Sequence, residues 1–325
     1  MKNPKREPRN RSRGREAGKP SEIPAAGWKD IFLRVKKEIA SDNLSIIAAG
    51  VAFYAFLAIF PALAAFVSTY GLVVTPSEVQ SHLKAAETLL PPPSAELIQT
   101  QLAQIVNSQP SQLGWGLLLS IALALWSAAK GMKAMMQAMN ITYDEEETRG
   151  TIKLNLVALL LTFGAIILVG VFLGLIALLP ALWGSLGLSE TIRAVLNYLR
   201  WPLLALAAIV ALAVLYRYGP SRERPQWRWV SWGAVTATVL WLLGSSLFSL
   251  YVSNFGNYDK TYGSLGVVII LMMWFLLSAY SILLGSEVNA EMEHQTAKDT
   301  TSGEARPRGA RGAYVADTVG QSAER

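Results

Sequence analysis

From Asn43 to Ser77 no side chain carries a charge. The same is true from Leu97 to Ala129, Leu154 to Ser189, Trp201 to Tyr216, Trp229 to Tyr258 and Thr261 to Ser286. A helix needs about 20 apolar residues to cross the hydrocarbon of a bilayer. Five of the windows reach that length outright. The fourth reaches it when Arg200 and Arg217 extend to the two interfaces. The patterning predicts an all-α, polytopic membrane protein with six transmembrane helices, at about 46–74, 113–133, 154–180, 197–217, 230–252 and 263–287. Charged residues make up 16% of the chain, against about 25% in an ordinary soluble domain, which excludes a water-exposed globule. There is no cysteine, so disulfides and thiolate metal sites are excluded as well. The N-terminus does not read as a cleaved signal peptide, because its basic region is long and the first apolar segment lacks an early small-residue cleavage site.

Lysine and arginine alternate between the loops. Segments 1–45, 130–153, 217–229 and 289–325 hold 25 of the 29, whereas 75–112, 181–200 and 253–263 hold 4. Both residues resist translocation, so the rich side is read as cytoplasmic, with both termini there. The basic stretch 2–19, "KNPKREPRNRSRGREAGK", admits two readings: a contact with nucleic acid or anionic lipid head groups, or a disordered, solvated tail whose charge helps topology. Nucleic acid is not an expected partner. Residues 1–27 and 294–325 lack apolar periodicity and are expected to be disordered, flanking a transmembrane domain at 28–293. Within "GWKDIFLRVKKEIASDN", the apolar Trp28, Ile31, Phe32, Val35 and Ile39 fall at helical spacing. They predict an interfacial helix lying on the inner leaflet. On the outer side, 75–112 carries two apolar stripes around "PPP" (91–93), which predicts a periplasmic helical hairpin.

Polar residues inside the spans are the candidate site, since a buried polar group in lipid needs a partner. Lys130 and Glu287 both lie toward the inner ends of their spans. They are expected to pair, or to share a polar cluster with Asn140 and Asn289; simple snorkelling of Lys130 is the simpler alternative. Tyr54 sits in "AAGVAFYAFLAIFPAL" (48–63), where its hydroxyl needs a partner and Pro61 frees the carbonyl of Leu57, so Tyr54 is expected to face the second or sixth span. Gly170 and Gly174 form a small-xxx-small pair suited to close helix packing. "TYGSLG" (261–266) opens the sixth span, and Tyr262, Gly263 and Gly266 are candidates for a broken-helix end. The acidic run Asp144, Glu145, Glu146 and Glu147 has no histidine beside it and reads as a charged loop in preference to a metal site. No catalytic residue, metal or cofactor is expected, and no phosphate-binding loop is present.

Four stretches in order resemble the YihY/BrkB family of bacterial inner-membrane proteins, long mislabelled as ribonuclease BN. They are "AAGVAFYAFLAIFP", "LWSAAKGMKAMMQAMNITYDEEETRG", "LYRYGPSRERPQWRWVSWGAVTATVLW" and "YDKTYGSLGVVIILMMWFLLSAYSILLGSEVNAE". The resemblance spans about residues 28–293, with Lys130 standing where the family pattern calls for arginine. It implies six membrane helices with both ends cytoplasmic, and a link to serum resistance and lipid handling without a defined reaction. The expected function is transport or flipping of a lipid-like or small amphipathic substrate. The alternatives are a non-catalytic membrane scaffold or envelope-integrity factor and, last, a ribonuclease, which would want an acid–base or metal constellation that the sequence does not offer.

Overall fold

A computed structural model describes residues 13–73, 113–178, 189–255 and 264–322. The expected periplasmic hairpin (75–112), Tyr262, Gly263 and the first residues of the basic tail lie outside them. The elements are α1 (Ala25–Ser41), α2 (Leu44–Val73), α3 (Leu113–Thr142), α4 (Thr151–Leu173), α5 (Glu190–Tyr218), α6 (Trp227–Phe255), α7 (Ser264–Gln295) and the short α8 (Tyr314–Asp317). A 3-10 turn at Pro20–Glu22 precedes α1, and a π turn at Gly174–Leu178 prolongs α4. There is no strand among the described residues. One isolated bridge joins Pro225 to Thr301.

Among the described residues five helices are long and apolar enough to span a bilayer: α2, α4, α5, α6 and α7. The second expected span coincides with α3, a continuous helix that falls outside those five. Each of α2 to α6 packs on the next, and α7 returns to pack on α2 as well as α6, closing a ring. Packing is tightest at the end that carries both termini, called here the polar end. There Leu44, Ala48, Met136, Met139, Ala158, Ala213, Tyr216, Val230, Ala234 and Leu283 form one buried apolar cluster drawn from six helices.

The termini close this end, contrary to the expected disorder of the described parts of 1–27 and 294–325. Arg13 binds buried Asp30 through Nη1 at 2.7 and 2.8 Å. Arg15 donates to the carbonyls of Gln295 and Gly320 at 3.1 and 2.6 Å. The buried Arg311 guanidinium donates to the carbonyls of Ala297, Lys298, Arg306 and Ala316, winding 297–316 around one side chain. Glycines at positive φ, Gly309 (+88°) and Gly312 (+71°), allow the turns. These contacts are arginine–carbonyl bonds, which leave no apolar periodicity in the sequence. That is why composition suggested disorder.

Helix α1 also departs from expectation. Its Ile31 and Val35 are buried against Met292 and Trp229, so the predicted apolar stripe faces protein, chiefly α7. Phe32 and Leu33, with Lys29, Lys36 and Lys37, make the exposed side. Asn43 takes a left-handed φ of +53° in the turn that reverses the chain into α2, a conformation asparagine tolerates well.

Candidate functional site

Seven polar residues stitch the helices together at the polar end. Asn289 of α7 accepts from the Gly233 backbone N–H at 2.7 Å and donates to the Val230 carbonyl at 3.2 Å, fixing α7 to α6. Asn140 of α3 accepts from the Ser221 N–H at 2.7 Å and donates to Glu147 at 3.2 Å. Thr142 and Ser286 share a hydrogen bond at 2.8 Å, and the Tyr216 hydroxyl donates to the Ile282 carbonyl at 2.7 Å. Arg222 and Glu293, with side chains 1% and 0% exposed, are joined at 2.7 Å; Thr300 of the C-terminal tail donates to the same carboxylate at 2.6 Å. The Arg222 guanidinium also lies 4.9 Å over the buried Tyr143 ring.

Of the five residues expected to cluster, Asn140, Glu287 and Asn289 lie in this layer, while Lys130 and Tyr54 do not. Lys130 precedes Gln137 by 7 positions and Ile141 by 11, so all three fall on one exposed stripe of α3, opposite the buried Met135, Met136 and Met139. Its ammonium sits 3.6 Å from the Trp126 ring centroid, and no ion pair joins it to Glu287. Trp126 shields the charge where snorkelling alone would carry it to the interface. Tyr54 is 44% exposed, at the edge of the exposed face of α2, although its backbone does lie against Gly131 of α3. Gly266 is buried in the first turn of α7.

Glu287 is 1% exposed and its Oε1 has no hydrogen-bond donor. The group it meets is another carboxyl, Asp42, in the turn between α1 and α2. Burial raises the Asp42 carboxyl above its ordinary value; the Glu287 hydrogen bond lowers it in part, and the Asp144 and Glu38 charges raise it further.

The acidic run after α3 is divided among separate partners. Asp144 has a left-handed φ of +54°, Glu145 accepts from the Tyr314 N–H at 2.7 Å, and Glu147 forms a bidentate pair with Arg149 at 2.7 and 2.6 Å. Burial raises Glu147, but the Arg149 side-chain and backbone hydrogen bonds outweigh it and hold the carboxyl at about 2. Among the described residues no group of three or more His, Asp or Glu side chains can hold a metal ion. An open depression of about 630 Å³ lies at the start of α4, lined by Gly150, Thr151, Ile152, Lys153 and Leu156.

Away from the polar end the ring loosens. Phe163, Gly164, Ala165, Ile166 and Ile167 of α4 are all exposed. Five consecutive residues at about 100° each sweep the whole circumference of a helix. One turn earlier, Ala158 and Thr162 are still buried. In α5, Asn197 to Leu199 and Trp201 to Leu203 are likewise exposed, whereas Leu204 and Ala213 are buried. Beyond the packed layer α4 from Phe163 to Ile167 and α5 from Asn197 to Leu203 are thus largely exposed, while the turn at Gly174–Leu178 still contacts α5.

A ring of long apolar helices with a polar closure at one end defines a multi-pass α-helical membrane protein. The chain belongs to the virulence factor BrkB family, whose pattern it matches over residues 35–309. It is 34% identical over 252 residues to a Bacillus subtilis protein named as ribonuclease-like, YfkH, covering 75% of this chain and 88% of that one. It is 27% identical over 258 residues to the UPF0761 membrane protein IL2447 of Idiomarina loihiensis (78% and 87% covered), and 29% identical over 274 residues to a UPF0761 membrane protein of Psychromonas ingrahamii (81% and 87%). No solved structure matches.

Proposed function

We propose that the protein moves a lipid-like or small amphipathic substrate across the bacterial inner membrane, with α3 as the sixth span and both termini in the cytoplasm. The observation that carries this reading is the all-round exposure of α4 from Phe163 to Ile167 next to the exposed stretch of α5. The exposed Phe163, Ile166, Ile167, Leu199 and Leu203 offer apolar surface to acyl chains and nothing to a hydrated polar solute. The packed layer below would act as a floor. The orientation rests on the distribution of lysine and arginine. On the cytoplasmic side, Lys29, Lys36 and Lys37 around Phe32 and Leu33 fit a contact with anionic head groups, adding to whatever the basic tail supplies.

The ribonuclease-like name of the Bacillus relative brings no reaction with it. The buried acids described above are paired with arginines, threonines or one another, and none is arranged with a histidine around an open aqueous site.

The test is reconstitution into liposomes with fluorescent phospholipids in one arm and small polar solutes in the other. Movement of phospholipid above that of empty liposomes, and reduced by Ile166→Trp, supports transport. Failure in both arms favours a scaffold that recruits partners through its closed polar end.

A further inference from the structure

Glu287 is buried among groups that cannot satisfy it. A carboxylate only accepts hydrogen bonds. Its Oε1 has no donor, and the charged groups acting on it are all carboxyls: Asp42, Glu291 and Glu38. The cations in the neighbourhood are engaged elsewhere. Arg34 donates through Nε to Glu291 and through Nη2 to the Glu291 carbonyl at 3.1 Å, and Lys37 lies 3.8 Å from Glu38. His294 sits 3.7 Å from Glu291 and hydrogen-bonds Thr318. Just after α3, the buried Tyr143 and the exposed Asp144 face the same region. The adjoining parts of α2 and α6 lie in charge-free windows and supply no counter-ion.

We infer that Asp42 and Glu287 together hold one proton between them, forming a proton-binding site where the α1–α2 turn meets α7. Two facing carboxylates have acceptors only; adding a single proton turns one of them into a donor to the other and removes one of two like charges. The geometry therefore calls for a proton where a charge pair was expected. Its consequence is mechanical. Asp42 precedes Asn43, the left-handed residue that sets the angle between α1 and α2, and α2 closes the ring against α7. Loss of the proton leaves carboxylates on both sides of that seam, with Glu38, Asp144 and Glu291 nearby, and pushes the turn away from α7. A carboxyl whose proton is held more firmly in the folded state stabilises the fold below its ordinary titration range, and that contribution disappears as pH rises. The seam is thus tight at low pH and loosens in alkali. This holds whether or not the protein moves a lipid.

The experiment uses the full chain in lipid nanodiscs, as wild type, Glu287→Gln and Asp42→Asn, from about pH 5 to about pH 11, a range over which an ordinary carboxyl has already lost its proton. Two signals are read: the infrared band of a protonated carboxyl, and hydrogen exchange of the amides at 40–48. In wild type the band persists at neutral pH and disappears in alkali, while the protection factors of the turn amides, taken against their base-catalysed intrinsic rates, fall tenfold or more. Each amide variant carries its own donor, so the band is absent and the protection factors are flat across the range. Wild type without a protonated-carboxyl band at neutral pH overturns the inference, and so does a variant with the wild-type pH dependence. Should Glu287→Gln fail to fold, Asp42→Asn decides alone, because Asp42 is only half-buried.

Discussion

The two ends of the helix ring are built on opposite principles. At the polar end α3, α5 and its following loop, and α6 are each tied to α7 by a named bond: Thr142 to Ser286, Tyr216 to Ile282, Arg222 to Glu293 and Gly233 to Asn289. Beyond that layer α4 and α5 expose mostly apolar side chains, and no such bond is seen between them among the described residues. The difference shows what fixes a membrane bundle. Apolar surface gains nothing by leaving lipid for protein, so helices without small residues or polar partners are free to part, and those with them are held. The polar end is specified by hydrogen bonds, and the exposed stretch of α4 and α5 is marked by their scarcity.

The sharpest way to break this contrast is to orphan a charge in the floor. Arg222→Ala leaves Glu293 buried beside Tyr143 with only Thr300 as a donor. Removing one partner of a buried pair costs about 3–5 kcal/mol. The melting temperature in detergent should collapse, and the tail residues 297–316 should become accessible to protease. A variant that melts like wild type would mean the layer is not the anchor.

Next comes a backbone contact that sequence reading missed. A Cβ placed on Gly285 would come 2.6 Å from the Gly233 carbonyl oxygen and 2.7 Å from the Ala237 Cβ. Gly285→Ala should therefore cost about 1–3 kcal/mol by overpacking, seen as a lowered melting temperature.

A third prediction separates the loop acids from the floor. The Glu147–Arg149 pair is partly solvated, so Glu147→Gln should cost only about 1 kcal/mol at neutral pH. The pair depresses the Glu147 carboxyl from 4.5 to about 2, so its contribution is present above 4.5 and fades as pH falls toward 2. The melting curves of wild type and variant should converge over that interval. A difference independent of pH would refute the assignment.

What the sequence made legible follows from the same contrast. Charge-free windows mark long apolar helices, and among the described residues five of the helices between Leu44 and Gln295 are long and apolar enough to span a bilayer. The candidate cluster was only half visible. Depth along a helix can be counted from the chain, and Asn140, Glu287 and Asn289 all lie near the polar end of their helices. Azimuth needs the ring, and the ring turns Lys130 outward onto Trp126. The collar was hidden because its bonds link residues as far apart as Arg15 and Gly320 through backbone carbonyls, which any residue type can supply. Phe32 shows the limit of periodicity: it sits at the same helical spacing as Ile31 and Val35, yet only those two face α7.

The smallest effect tests the loose end directly. Gly170 and Gly174 have the spacing of a close-packing motif, but a Cβ on either would meet nothing within 4 Å, as is also true of Gly164. Spacing alone does not make an interface; a facing backbone is required, and it is Gly233 and Gly285 that face each other. With no neighbour to displace, Gly170→Ala loses no contact and gains the helix preference of alanine, a stabilisation of about 0.5–1 kcal/mol. The sign is opposite to that of Gly285→Ala for the same added methyl. If Gly170→Ala instead lowered the melting temperature, a helix would have to pack there in the membrane, and the exposed stretch of α4 and α5 would be covered.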